Sequence, residues 1–133
     1  MGVTTLVRQR MPTDCGVCCL AMLTGRSYEH VLAAIADAFE FESGLRRSQV
    51  ALERLGFAAD DFVCRHRIIL APEFFREFAW GRRALLTVPS RNRPGQWHMV
   101  YCEGATIFDP SPHLTYERWS DLRQEEIVLF REH

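Results

Sequence analysis

Apolar positions along the first half of the chain recur at helical spacing and are punctuated by helix breakers. Asp14 is a candidate N-cap, Pro12 precedes it, and Val17, Leu20, Ala21, Leu23 and Thr24 follow before Gly25, which predicts a helix opening at Cys15 and stopping at Gly25. Ser27 can cap a second helix carrying Val31, Leu32, Ile35, Ala36 and Phe39 at the 3.6-residue period. A third is predicted from about residue 45 to residue 55, bounded by Ser43-Gly44 and Gly56, with Leu45, Val50, Leu52 and Leu55 apolar. The second half changes period. Phe62-Val63-Cys64 and Ile68-Ile69-Leu70 read as short strands, and residues 72–80 as a short helix with Pro72 in its first turn and Gly81 beyond it. Residues 84–88 read as an apolar strand, 90–95 as a turn-rich loop, and 97–102 and 105–108 as a hairpin around Glu103-Gly104. Residues 115–123 are expected to add a helical turn or two, and residues 127–130 a last strand. Helices first and an antiparallel sheet afterwards is an α+β pattern.

Length and charge narrow the function classes. A chain of 133 residues is expected to form one domain over its whole length, with enough chain to bury a core. Its 47% hydrophobic and 25% charged residues are globular values. The formal net charge is −1, so no electrostatic footprint for nucleic acid or an anionic membrane is expected. All 16 basic residues are arginine, a bias that coding-sequence composition explains. No run of apolar residues approaches the length of a membrane span. The first eleven residues hold Arg8 and Arg10 and lack a long apolar run, and there are five cysteines. Together these lead us to expect a cytoplasmic protein in a reducing compartment, with at least one free thiol.

The chemistry concentrates at Cys15. A helix N-terminus carries about half a positive charge, which favours a thiolate over a thiol at that place. A cysteine nucleophile also needs a base, and the base an orienting group. His98 lies in the strand predicted at 97–102, and Asp109 ends the partner strand just before Pro110. A tight hairpin at Glu103-Gly104 would bring the two together across the pair. Gln9, six residues before Cys15, can donate its amide to an oxyanion alongside the backbone N–H of Cys15. Trp97 beside His98 is a candidate wall of a substrate groove. Arg91 and Arg93, in the adjoining loop, are candidates to bind an acidic or carboxylate-bearing substrate.

Other readings compete for the same residues. Cys15-Gly16-Val17-Cys18 fits a C-x-x-C redox motif, yet Met11 to Asp14 reads as a loop where a redox fold of that kind needs a strand. A zinc site would draw on Cys15, Cys18 or Cys19 with Cys64, His66 or Cys102, but no second pair at ligand spacing supports it. Cys18, Cys19, Cys64 and Cys102 read as small core residues. No metal or cofactor is expected.

Gln9, the run Asp14-Cys15-Gly16 followed by Leu20-Ala21-Met22, then Trp97-His98-Met99-Val100 and Phe108-Asp109-Pro110 together resemble the papain-like cysteine peptidase domain that cleaves double-glycine leader peptides in bacteriocin exporters, here as a stand-alone domain. The resemblance runs from about Val7 to Phe130. It implies a papain-like fold, N-terminal helices packed on a C-terminal antiparallel sheet, with Cys15 as nucleophile, His98 as general base, Asp109 as its orienter and Gln9 as oxyanion donor. The family's own substrate does not carry over; a peptide or protein substrate, cut at a peptide or isopeptide bond, is our expectation. Two departures stand out: Cys18 occupies a position where a small residue is usual, and the segment from His98 to Asp109 is short. A thiol acyl transferase and a non-catalytic peptide- or protein-binding module remain alternatives on the same fold.

Overall fold

The computed structural model describes residues 4–11, 14–36, 44–58, 62–66, 83–104, 106–117 and 126–130. Among the described residues, three helices come first: α1 (Cys15–Thr24), α2 (Tyr28–Ile35) and α3 (Gly44–Arg54). Five strands follow: β1 (Phe62–His66), β2 (Arg83–Pro89), β3 (Trp97–Glu103), β4 (Thr106–Phe108) and β5 (Glu126–Phe130). They form one sheet in the order β1-β5-β2-β3-β4, and every neighbouring pair is antiparallel. The architecture is α+β, as the change of period predicts. The strand expected at 68–70 and the helix at 72–80 lie outside the described residues, as does Phe39. Residues 115–117 are irregular rather than helical, and the rest of that expected turn lies outside the described residues.

Helix α1 is central. Every residue from Val17 to Leu23 is buried, so the helix is apolar all round and enclosed by its neighbours. Its end is set by Gly25 at φ 71°, a left-handed conformation that glycine adopts without steric cost. The Gly25 N–H closes on the Ala21 carbonyl at 3.0 Å, and Arg83 at the start of β2 donates to the Leu23 carbonyl at 2.9 Å. Helix α2 begins as expected, the Ser27 hydroxyl accepting from the His30 N–H at 3.1 Å.

Helix α1 opens differently from the expectation. The Asp14 carbonyl accepts the first helical bond, from the Cys18 N–H at 3.1 Å, but the Asp14 side chain makes no capping bond. One of its oxygens instead accepts from the Tyr28 hydroxyl at 2.7 Å and from the Arg10 N–H at 3.0 Å. A buried phenol hydroxyl must find an acceptor, and Asp14 supplies it.

Two clusters make the core. The larger joins α1, α2 and α3 to Leu85 and Tyr101 of the sheet; the smaller gathers Ala84, Leu86, Val88, Val100, Cys102 and Tyr116. Alternation along β2 and β3 accounts for the split, since successive strand residues face opposite ways. Cys19 ties the central helix to the sheet, its sulfur 3.3 Å from the Met99 carbonyl of β3. Among the described residues, no helix is long and apolar enough to cross a membrane.

Candidate active site

The strand register builds the site. Tyr101 faces Phe108 and Cys102 faces Ile107 across β3 and β4. Continued past Phe108, this register carries Asp109 and Ser111 alongside the start of β3, where His98 sits opposite Val88 of β2. The imidazole Nε2 lies 2.6 Å from Asp109 Oδ1 and 3.0 Å from Ser111 Oγ. All three side chains are buried. The Ser111 N–H donates to Asp109 Oδ1 at 2.9 Å, and the Tyr116 N–H donates to Oδ2 at 2.8 Å, so the carboxylate is held from both sides by fixed backbone donors.

With Nε2 engaged, Nδ1 is the ring nitrogen left for another partner, and Cys15 lies near enough to favour the charged ring. The helix explains the approach. Cys19 meets β3 at Met99, and Cys15, four residues earlier on the same helical stripe, lies toward the end of β3 that carries His98. Cys15 is half-buried, and its thiol is free.

The charges support one another. Burial works against a charged imidazole, but the hydrogen bond to Asp109, then the hydrogen bond and charge of Cys15, outweigh it and raise the His98 pKa from 6.5 to about 9. Burial likewise works against the Asp109 carboxylate, and the hydrogen bond from His98 with the backbone N–H groups of Ser111 and Tyr116 prevails, lowering its pKa. The imidazolium is therefore the favoured form of His98 at neutral pH, and Asp109 is ionised beside it.

The N-terminal segment crosses the site. The Gln9 N–H donates to the Pro110 carbonyl at 2.9 Å, and the Arg8 guanidinium to the Ser111 carbonyl at 3.3 Å. Gln9 is thereby held next to the Asp109 loop, and its side-chain amide donates to the Met11 carbonyl at 3.1 Å. Trp97 is exposed at 57% beside His98. The loop between β2 and β3 has an internal use. Arg91 lies over the Tyr116 ring at 4.3 Å and donates to the Thr115 carbonyl at 3.3 Å, while Asn92 exchanges two hydrogen bonds with the Leu114 backbone at 2.8 and 2.9 Å. The Tyr116 hydroxyl closes the clamp on the Pro89 carbonyl at 2.6 Å. Arg93 is exposed, and its N–H bonds the Ser90 hydroxyl at 3.0 Å.

Sequence reasoning did not single out Ser111 or Tyr116. A signal existed for the first: Asp-Pro-Ser is a sequence in which an aspartate side chain turns back onto the N–H two residues on, as Asp109 does here. Among the described residues, no group of three or more His, Cys, Asp or Glu side chains is arranged to hold a metal ion. Compared with known proteins, the chain matches no family model, and no curated protein or solved structure matches it.

Proposed function

We propose that this chain is a thiol-dependent hydrolase with a papain-like arrangement, a cysteine peptidase acting on peptide or isopeptide bonds. The observation that supports the reading is His98, bonded through Nε2 to Asp109 at 2.6 Å, with Cys15 close enough to favour its charged form. Nucleophile, base and orienting carboxylate in contact sequence form the triad arrangement of acyl-transfer enzymes.

In the proposed reaction the Cys15 thiolate adds to the substrate carbonyl carbon. The oxyanion that forms is met by the Cys15 backbone N–H, one of the first-turn amides that no helical carbonyl satisfies. Gln9 provides a second donor when its amide turns from the Met11 carbonyl two residues away. The His98 imidazolium gives its Nδ1 proton to the departing amine, leaving a thioester on Cys15. Neutral His98 then takes a proton from water, which attacks the thioester and releases the acid. Asp109 holds the ring orientation and the charge throughout. No metal or cofactor enters these steps.

The test is turnover of a peptide and isopeptide substrate library, with quenched samples read by intact mass. The expected result is a substrate-derived acyl adduct on Cys15 and loss of turnover in Cys15→Ala with the melting temperature retained. An unchanged rate in Cys15→Ala overturns the reading. Product formed only when an added amine or thiol competes with water would make the protein an acyl transferase instead.

A further inference from the structure

The proposed hydrolysis uses Cys15 and leaves the second cysteine of Cys15-Gly16-Val17-Cys18 without a task. The two differ sharply in setting. Cys15 is the half-exposed first residue of α1, whereas Cys18, one turn later, is wholly buried in the core around α1. Residues three apart on a helix have Cβ atoms about 5–6 Å apart, and a disulfide requires Cα atoms within about 7 Å, so a small adjustment of the first turn joins them. Helical side chains lean toward the N-terminus, which tips the Cys18 sulfur over the turn that carries Cys15. Cys19 is also one turn on, but its sulfur is committed to the Met99 carbonyl at 3.3 Å.

Burial separates the two further. Burial pushes the Cys18 thiol up to about 12, with the Asp14 and Cys15 charges adding to the rise and the Arg10 guanidinium opposing it. Cys18 therefore does not compete with Cys15 for an electrophile arriving from solvent.

We propose that Cys15 and Cys18 form a reversible oxidation site, in which peroxide converts Cys15 to a sulfenic acid and Cys18 closes it into a Cys15–Cys18 disulfide. The inference rests on the reading of Cys15 as a reactive thiolate. The Cys15 sulfur attacks one peroxide oxygen, the O–O bond breaks, hydroxide leaves, and the sulfur loses two electrons to the peroxide. The Cys18 sulfur then attacks Cys15 Sγ, the S–O bond breaks, and the Cys18 thiol proton leaves with the hydroxyl as water. A dithiol reductant reopens the bond. The disulfide switches the nucleophile off and protects it from sulfinic and sulfonic acids, which thiols do not reverse.

The test treats the reduced full chain with hydrogen peroxide and follows intact mass, dimedone trapping and recovery of Cys15 alkylation after dithiothreitol. Tryptic cleavage at Arg10 and Arg26 leaves Cys15, Cys18 and Cys19 on one fragment, so variants assign the bond. The wild type and Cys19→Ala are expected to lose two hydrogens, take up no dimedone and recover fully with dithiothreitol. In Cys18→Ala the expected result is dimedone uptake on Cys15, followed by loss of recoverable thiol. Cys18→Ser, closer in size, is expected to behave the same way and serves if the alanine variant does not fold. Dimedone uptake in the wild type, or a disulfide still closing in the Cys18 variants, overturns the proposal. Iodoacetamide labelling of Cys15 without disulfide formation would do so while leaving the hydrolase reading intact, whereas failure of Cys15 to react with either reagent removes both.

Discussion

The two sides of the site hold a buried aspartate each and treat it differently. On the sheet side, both oxygens of Asp109 are occupied, Oδ1 by His98 and the Ser111 N–H and Oδ2 by the Tyr116 N–H. On the helix side, one oxygen of Asp14 accepts from Tyr28 and Arg10, while no hydrogen bond from any described residue reaches the other. The nearest ion pair there, Arg10 with Glu29 at 2.7 Å, is exposed. A buried carboxyl group with both oxygens met is held in place, and one with an oxygen unmet is the less stable arrangement. His98 and Asp109 are thus held together by fixed partners, whereas Asp14 keeps one oxygen that no described residue meets.

Breaking the sheet side has the largest effect. Asp109→Ala leaves a buried imidazole without its counter-charge, and we expect turnover to fall on the order of 10³-fold or more and stability to drop by about 3 kcal/mol, read by steady-state kinetics and denaturant unfolding. An unaltered rate would mean that the buried pair serves only the fold.

pH separates the two partners of that pair. Because His98 is raised from 6.5 to about 9, the stabilisation it contributes is complete below its unfolded value and is lost as pH rises through about 9. Asp109 is lowered, so its contribution is present above the unfolded carboxylate value and is lost as pH falls through its folded value. Proton release by His98 predicts a basic limb of kcat/KM near pH 9, and a limb near 6.5 would show that Asp109 and Cys15 do not hold its proton.

The helix side should respond more weakly. Tyr28→Phe takes a hydrogen bond from a carboxylate already short of one, with an expected loss of about 1–2 kcal/mol by denaturant unfolding and little change in kcat. A loss equal to that of Asp109→Ala would erase the contrast between the two sides. The smallest effect belongs to Glu29→Gln, which opens the exposed ion pair and is expected to leave the melting temperature unchanged.

Local patterning made most of the fold legible. Gly25 and Ser27 mark the end of α1 and the start of α2, a short apolar run marks β2, and the Glu103-Gly104 turn marks the hairpin of β3 and β4. The insertion of β5 between β1 and β2 was not legible, because strand order depends on contacts between distant segments. Asp14 illustrates the same limit: its place before a helix suggests a cap, but Tyr28, fourteen residues on, takes the side chain. In the site, Cys15, His98 and Asp109 carried signals because their chemistry lies in their side chains. Tyr116 acts on Asp109 through a backbone N–H, which every residue but proline possesses, and so left no mark in the sequence. The Arg91-Asn92-Arg93 loop read as a substrate contact because arginine in a loop suits carboxylates; the contacts of Arg91 with the Tyr116 ring and of Asn92 with the Leu114 backbone join distant segments and left no local mark.

The central claim is that Cys15 and His98 share a proton as one functional pair. Titration of the His98 ring by heteronuclear NMR, in the wild type and in Cys15→Ala, tests it most directly. We predict a pKa near 9 in the wild type and a clearly lower value in Cys15→Ala, where the sulfur no longer favours the charged ring. The same His98 pKa in both proteins would contradict the account.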